Sequence, residues 1–433
     1  MPARAGLLDL LVAGGEVIDP ATGRRGRYDV GLAGGRIAVV EPDVPRQLAA
    51  GVFDAAGCLV LPGLVDLHTH IFHGATFWGT DPRPLAWRTG VTTWVDAGSA
   101  GAYSAAALEQ ISPGFAPLQM RAFLNISAVG LIAETGECRR EDLCDPGLCA
   151  AVLAEHEGFF AGVKCRMDSA TVGEMGIEPL RRALRAAEAA GVPVMVHIGA
   201  EPPSIDEVLD LLRPGDIVTH CMTSQTMSLL APRGGIRRSV VGARERGVLF
   251  DVGHGSGSFS FSVAEAMLAA GFPPDVISSD AHQRSILGPC FDLPTCMSKF
   301  LALGMGLDDV VRAATSAPAL AFSDAEAGSL EVGRRADLAV FQVEEGDFDF
   351  FDSELEARRA GPVLVNRATF AAGSLLEPVE PSRPAPWVHL TDAQRALLSR
   401  GPETLRRPWA GMLRSRDGYV SYRRSSSSPS ARS

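Results

Sequence analysis

The sequence has no stretch of the roughly 18 uninterrupted apolar residues that a membrane-spanning helix needs. Its first residues, MPARAGLLDLLVAGGEVIDP, lack the basic region and the long apolar run of a signal peptide. We therefore expect a protein without a membrane partner and predict a cytoplasmic location.

Cysteine pairs with the spacing of a metal or redox motif are also missing. The chain has eight cysteines, but no two of them form a Cys-x-x-Cys motif. This absence excludes a zinc knuckle and a thioredoxin-type site. Without an export signal, we expect reduced thiols that act mostly as small core residues.

An excess of positive charge is absent as well. Lysine and arginine number 40 against 51 aspartates and glutamates, which gives a formal net charge of −11. This balance argues against a nucleic-acid partner, although a local arginine cluster could still bind an anionic small molecule. A hydrophobic fraction of 46% and a charged fraction of 21% are typical of a globular enzyme with a sizeable core.

The two flanks of the chain share a β-hairpin pattern. Short strand-like runs such as LLVAGGEVI and YDVGLAGGRIAVV lie before Leu61, and RRADLAVFQV and PVLVNRATF follow near Gly333. Each flank alone is short for a stable sheet. We therefore predict that residues 1–61 and 325–380 pair as one small composite β-domain.

Residues 62–324 change to a rhythm of apolar runs that alternate with helical stretches rich in alanine, leucine and arginine. Eight runs are found: GLVDLHTH, VTTWVDAG, RAFLNISAVG, GFFAGVKCRM, VPVMVHIG, DIVTHC, GVLFDVG and DVISSD. Eight β-α units predict an α/β fold of the (β/α)8 TIM-like barrel type. A helix is predicted from Ile177 to Ala190, ended by Gly191.

The last zone, residues 381–433, is predicted to hold a helix capped by Thr391 or Asp392. The Ser-rich segment that follows has the low complexity typical of disorder.

The first candidate site residues are His68 and His70, at the end of the first run. Side chains alternate along a strand, so both imidazoles point the same way, towards the C-terminal mouth of the barrel. Two imidazoles at this separation can chelate one divalent ion. Taken alone, the pair is as compatible with a surface or core histidine pair.

Further ligand-type residues lie at the ends of later runs: Lys164, His197, His220 and Asp280. A single histidine of this kind is better explained as a core residue, but the whole set favours a metal site. An ammonium ion is costly to bury in an apolar strand. Lys164 is therefore expected either to pair with a carboxylate or to be carbamylated by CO2, since a lowered pKa supplies the neutral amine.

The segments GLVDLHTH, VDAGSAGA, GVKCRM, DVGHGSGSF and SSDAH resemble the amidohydrolase superfamily, and specifically its binuclear dihydroorotase-like deacetylase group. The resemblance extends from LPGLVDLHTH to GRRADLAVF. It implies that His68, His70 and Asp280 hold one metal ion and that His197 and His220 hold a second. Carbamylated Lys164 and a hydroxide would then bridge two divalent ions, with zinc expected and iron, manganese and cobalt left open.

The resemblance also implies a reaction. A metal-bridging hydroxide attacks an acyl carbonyl, and Asp280 transfers the proton to the leaving group. The expected substrate is an acetyl ester or amide of a small carboxylic acid. Ring opening of a cyclic amide or imide, as in dihydroorotases and hydantoinases, is the alternative. A non-catalytic assembly protein would lack the ligands, and Lys164 argues against a mononuclear deaminase.

Three further residues are candidates for substrate binding. Arg166 shares the parity of Lys164 and could bind a carboxylate, although a structural ion pair is equally compatible. His254 and His282 follow the seventh and eighth runs, and either could instead be a loop histidine bonded to backbone. Ser99 and Asn125 are weaker candidates. The oligomeric state is left open, a homo-oligomer included.

Overall fold

The computed structural model describes residues 7–381 and 385–399. The first flank contains five strands that precede the barrel. They are β1 (Leu8–Asp19), β2 (Arg24–Ala33), β3 (Arg36–Glu41), β4 (Ala49–Asp54) and β5 (Leu59–Pro62). The hairpin pattern predicted from the sequence is thereby confirmed, since β1 and β2 pair antiparallel, as do β2 and β3.

The barrel is a sheet of consecutive parallel strands. They are β6 (Leu64–Thr69), β7 (Val91–Ala97), β8 (Gln119–Asn125), β9 (Phe160–Met167), β10 (Val194–Ile198), β11 (Ile217–Thr219) and β12 (Leu249–Asp251). Each strand pairs in parallel with the next in the chain. The first seven predicted runs thus form strands in the predicted order.

The eighth run, DVISSD, is not a regular strand. It closes the ring through two isolated parallel bridges, from Val276 to Asp251 of β12 and from Ala281 to Thr69 of β6. Between them, Ser279 donates its backbone N–H to the Asp66 carboxylate at 2.9 Å instead of to a ladder carbonyl. Side-chain acceptors therefore replace part of the ladder, which explains why an apolar run of strand-like composition lacks regular strand pairing.

The second flank returns to the first sheet. Its strands are β13 (Leu338–Glu344), β14 (Phe348–Phe351), β15 (Ala357–Ala360), β16 (Val363–Ala371) and β17 (Ser374–Leu375). β13 pairs antiparallel with β5 and with β16, so both flanks share one eight-stranded sheet. β14 and β15 pair with each other in a separate two-stranded sheet. The predicted pairing of the two ends is confirmed, while the domain bounds given above stay predictions.

Twelve α-helices are found among the described residues. They are α1 (Arg83–Thr89), α2 (Ala105–Ile111), α3 (Pro146–Glu155), α4 (Ser169–Val172), α5 (Glu178–Ala190), α6 (Ile205–Leu211), α7 (Arg238–Glu245), α8 (Phe261–Ala269), α9 (Leu293–Ala302), α10 (Leu307–Ala314), α11 (Ser316–Ala321) and α12 (Asp392–Ser399). None of them is long and apolar enough to cross a bilayer. α5 ends at Gly191 in the left-handed conformation, as predicted.

At the C-terminal end, α12 begins at Asp392, and Thr391 caps it by accepting the Gln394 N–H at 3.1 Å. The predicted helix is therefore confirmed. The Ser-rich segment predicted to be disordered lies outside the described residues.

The barrel interior is apolar at one end and polar at the other. Val65 and Leu67 of β6 belong to a buried interior cluster with Phe123, Met195 and Ile217. The pairing of β6 with β7 then shifts register between Asp66 and Thr69. Such an irregularity changes the direction in which side chains point. As a result, Leu67 and the adjacent His68 both face the barrel interior, although neighbours in a regular strand face opposite sides.

Candidate metal centre

The structure brings the six predicted ligand residues together at the carboxyl ends of the strands. His68, Lys164 and His197 lie near the ends of β6, β9 and β10. His70 and His220 directly follow β6 and β11, and Asp280 is the last residue of the eighth run. Because all the strands are parallel, these positions meet at one mouth of the barrel.

Ligand-type atoms from all six residues lie in one cluster. Atoms of His68, His220 and Asp280 lie within 4.8 Å of one another. The remaining contacts join the other three residues: His70 Nε2 to Asp280 Oδ1 at 3.2 Å, Lys164 Nζ to His68 Nε2 at 3.1 Å, and His197 Nδ1 to His220 Nε2 at 2.8 Å.

A hydrogen-bond relay orients His68. The Thr219 hydroxyl donates to Asp251 Oδ2 at 2.6 Å, so its oxygen is left to accept from His68 Nδ1 at 2.7 Å. This direction places the imidazole proton on Nδ1. His68 Nε2 therefore presents a lone pair towards Lys164 and Asp280, which is the arrangement that metal-binding histidines adopt.

His70 and His220 are oriented in a similar way. Ser99 Oγ lies 3.0 Å from His70 Nδ1, and the Gly253 carbonyl accepts from His220 Nδ1 at 2.6 Å. The Nε2 atom of each ring then faces the cluster. Ser99, a weaker candidate from sequence, thus contacts a predicted ligand, whereas the Asn125 side chain bonds to backbone groups of Gly98 and Ser127.

Burial sets the protonation of these groups. Desolvation lowers the pKa of His70 to about 3 and that of His220 to about 4, so both rings are neutral at neutral pH. Only a neutral imidazole can ligate a metal. Burial also lowers the pKa of Lys164 to about 7, which makes a substantial fraction of neutral amine available.

Asp280 provides the clearest indication that the cluster suits a cation. Its Oδ1 atom is buried and has no hydrogen-bond partner among the described residues. The residue also has a left-handed φ of 50°, which is uncommon outside glycine and clusters at functional sites. An unpaired buried carboxylate oxygen is costly unless a cation or a proton satisfies it, so the donor set fits a bound metal.

Arg166 is engaged by a carboxylate from its own chain. Its Nε and Nη2 atoms donate to Glu137 at 2.6 and 2.8 Å, and Nη2 also donates to the Glu134 carbonyl. Arg166 and Glu137 are both buried. The structure therefore shows the ion pair that the sequence left open as the alternative to a substrate clamp. Arg166 Nη1 makes no hydrogen bond within the described part of the chain.

His254 lies outside the cluster, and both its nitrogens are engaged. Nδ1 lies 2.9 Å from the Gly255 carbonyl, and Nε2 lies 2.6 Å from Lys299 Nζ. His254 also lies close to the thiols of Cys290 and Cys296. However, the Lys299 ammonium lies against His254 Nε2, where a metal ion bound to these three residues would have to lie. The same ammonium donates to two backbone carbonyls. The substrate-binding role expected for His254 therefore has no free nitrogen to support it.

His282 lies at the edge of the cluster. Its Nδ1 accepts the backbone N–H groups of Arg284 and Ser285 at 3.1 and 3.2 Å. The proton of the neutral ring must therefore lie on Nε2, which is 3.9 Å from Asp280 Oδ2. The Trp78 ring packs against the imidazole, with ring centroids 4.7 Å apart. His282 thus presents a donor beside Asp280.

Sequence reasoning missed the partners that orient the ligands, above all Thr219 and Asp251. A usable signal existed, because Thr219 directly precedes a predicted ligand and Asp251 is the charged residue within the seventh run. Both are polar residues at fully buried positions.

Comparison with known proteins agrees with this geometry. Residues 59–363 match the amidohydrolase family. The chain is 36% identical to a deacetylase of Agrobacterium fabrum over 75% of this chain and 80% of the relative. It is 31% identical to a deacetylase of Enterococcus faecalis over 85% of this chain and 99% of the relative.

Solved structures give the same picture. An adenine deaminase superposes with a TM-score of 0.80 at 30% identity, covering 85% of this chain and 99% of the other. A dihydroorotase superposes with a TM-score of 0.77 at 33% identity, covering 84% and 98%. The chain belongs to the amidohydrolase family. It is a hydrolytic enzyme, and the predicted family and barrel fold are confirmed.

Proposed function

We propose that this protein is a binuclear metal-dependent hydrolase that cleaves an acetyl ester or amide of a small carboxylic acid. His68, His70 and Asp280 would hold one divalent ion, and His197 and His220 a second. The observation that carries the proposal is the convergence of buried ligand atoms of His68, His220 and Asp280 within 4.8 Å. Imidazole and carboxylate donors suit zinc.

When bound, two divalent ions would polarise the substrate carbonyl and lower the pKa of water. The residues of the chain do the rest. Asp280 accepts a proton from the attacking water and passes it to the leaving group, a role for which burial raises its pKa. His282 donates its Nε2 proton to the negative charge that develops on the acyl oxygen.

Lys164 would bridge the two ions as a carbamate. The lone pair of the neutral amine attacks CO2, a new N–C bond forms as one C–O π bond breaks towards oxygen, and one N–H proton leaves to solvent. Counted from the ammonium form, which first releases a proton to become the amine, two protons are lost and a buried cation is replaced by an anion among four neutral imidazoles. Full burial of Lys164 and its Nζ–His68 contact at 3.1 Å support the proposal, since an ammonium at that position repels a metal ion.

The acyl substrate is supported by the two relatives named deacetylase. A substrate carboxylate would meet Arg166 at Nη1, because Glu137 engages Nε and Nη2. The dihydroorotase structure at 33% identity supports a second candidate, hydrolysis of a cyclic amide. Both reactions would use the same metal ligands.

The test is a hydrolysis screen of N-acetyl and O-acetyl carboxylic acids beside cyclic amides, with zinc and bicarbonate supplied. Metal content is measured on the same preparation. We expect about two zinc ions per chain and turnover of at least one acetylated acid. Turnover of cyclic amides alone would select the second candidate. One ion per chain with deamination of a purine, or no metal at all, would contradict the binuclear hydrolase.

A further inference from the structure

The helix α12 lies outside the part of the chain that matches the amidohydrolase family, which ends at residue 363. It rests on residues 281–291, which follow the eighth run and are called the rim loop here. Gln394 of α12 is 1% exposed, and its Nε2 donates to the carbonyls of Arg284 at 2.6 Å and Gly288 at 2.8 Å.

Apolar packing completes this contact. Leu397 is fully buried in a cluster with Phe351, against which Phe291 and Leu355 pack. A Cβ added to Gly288 would lie 2.7 Å from Leu397 Cδ2. The rim loop thus has a glycine at a position where a side chain would collide with Leu397 of α12.

The rim loop forms one wall of the metal centre. It carries His282, whose Nε2 faces Asp280 Oδ2 at 3.9 Å. It also carries Arg284, which pairs with Glu134 at 2.9 Å and lies 5.0 Å from the Trp78 ring centroid. Trp78 in turn packs against His282.

Two sets of hydrogen bonds hold the rim loop. The Ser285 hydroxyl donates to the Asp280 carbonyl at 2.7 Å and ties the first residues to the metal ligand. The carbonyls of Arg284 and Gly288 are tied instead by Gln394. Loss of the two Gln394 hydrogen bonds should therefore make the rim loop more mobile while Asp280 keeps its position.

We propose that α12 is a strap for the substrate pocket and that Gln394 is a positioning residue for substrate binding. Its amide holds Arg284 and Gly288, and through them the wall formed by His282, Arg284 and Trp78. This inference rests on the proposed function, because it assigns the wall to the substrate of that site.

The test uses the full-length protein with Gln394→Glu. This substitution keeps the oxygen that accepts the Thr391 N–H at 3.0 Å, but it removes both donors and places a carboxylate against two carbonyls. Gln394→Ala removes the same donors without adding charge. Gln110→Glu makes the same chemical change on an exposed glutamine of α2 and serves as the control.

Two measurements are made on each variant. The first is the rate of trypsin cleavage after Arg284, followed by mass spectrometry, which reports opening of the rim loop without any substrate. The second is kcat and KM together with zinc content. We expect cleavage about tenfold faster in both Gln394 variants, from the loss of two hydrogen bonds. We expect KM to rise about tenfold for the same reason, with zinc content unchanged.

The possible results distinguish failure of the strap proposal from failure of the proposed function. Cleavage and KM like those of Gln110→Glu would overturn the strap, as would faster cleavage with an unchanged KM. Loss of zinc in the Gln394 variants would also overturn it, because the effect would then be on the metal centre. A wild-type enzyme that turns over no acetylated acid or cyclic amide would overturn the proposed function, and the substrate role of Gln394 with it. The cleavage rates would still decide whether α12 holds the loop.

Discussion

Replacing Thr219 by valine should weaken metal binding through His68. Valine keeps the shape of threonine but removes the hydroxyl that accepts from His68 Nδ1 at 2.7 Å and donates to Asp251 at 2.6 Å. Asp251 cannot take over as acceptor without movement, since its Oδ2 lies 3.7 Å from Nδ1. The imidazole proton is then no longer fixed on Nδ1.

The magnitude follows from the groups that lose partners. The variant leaves His68 Nδ1–H without its acceptor and takes one of the donors from the Asp251 carboxylate, both at fully buried positions, and a buried group left without its partner costs about 1–3 kcal/mol. A shift of the proton to Nε2 relieves part of this cost but removes the lone pair that would face the metal. We therefore expect zinc affinity to fall about 10- to 100-fold, the range found when partners of ligating histidines are lost.

The assay is titration of the metal-stripped protein with zinc against a chromophoric chelator. Thr219→Ser restores the hydroxyl and should recover most of the affinity. Thr315→Val is the matched control, because it removes another buried threonine hydroxyl, bonded to the Val311 carbonyl at 2.6 Å, on the segment that joins α10 and α11. It should lower the melting temperature but not the zinc affinity. Wild-type affinity in Thr219→Val would refute the relay.

Four further outcomes are expected from the same centre. Lys164→Ala should lose metal and activity, and added short carboxylic acids should partly restore both; two bound metals and full turnover in that variant would contradict the bridge. Asp280→Asn should fold but lose at least about a hundredfold in kcat, as expected for a general base, and normal turnover would remove it from that role. Reconstitution of chelator-treated enzyme should need bicarbonate as well as zinc, and full recovery in CO2-free buffer would argue against the carbamate. Arg166→Ala should abolish the preference for substrates with a carboxylate over matched ones without it; an unchanged preference would exclude Nη1 as the contact. Because Glu137 would be left buried without its partner, the melting temperature of that variant should also fall.

Much of the candidate metal centre could be assembled from the sequence, because residues at the carboxyl ends of successive parallel strands lie close together in space. His197 and His220 each come at the end of an apolar run, so the repeat alone brings them to one mouth. The direction of the His68 side chain was also predicted, but from regular alternation along the strand, and the strand in the structure is not regular. Strict alternation from Leu67 would turn His68 away from the interior, and the register shift that corrects this has no signature in LVDLHTH.

The residues that bind the substrate were harder to predict from the sequence. The position of a residue along a strand predicts which way its side chain points, but not which group it contacts. Arg166 does share the interior face with Lys164, yet its guanidinium is bound by Glu137 from the segment after β8. That segment has no periodicity from which its path could be inferred. The ion pair between Arg166 and Glu137 could therefore not be predicted from the sequence, because Glu137 lies in a loop without a repeating pattern.

The three partners that decide the chemistry of the histidines and of Arg166 are all distant in sequence. Thr219 lies 151 residues from His68, Lys299 lies 45 residues from His254, and Glu137 lies 29 residues from Arg166. The relay fixes Nδ1 of His68, the proposed ligand, so that Nε2 faces both Lys164 and the Asp280 carboxylate at the barrel mouth. Nε2 of His254 instead faces Lys299, which two backbone carbonyls also hold in place. Both imidazoles meet a buried lysine, so the carboxylate beside His68 and the carbonyls around Lys299 are what distinguish the two environments.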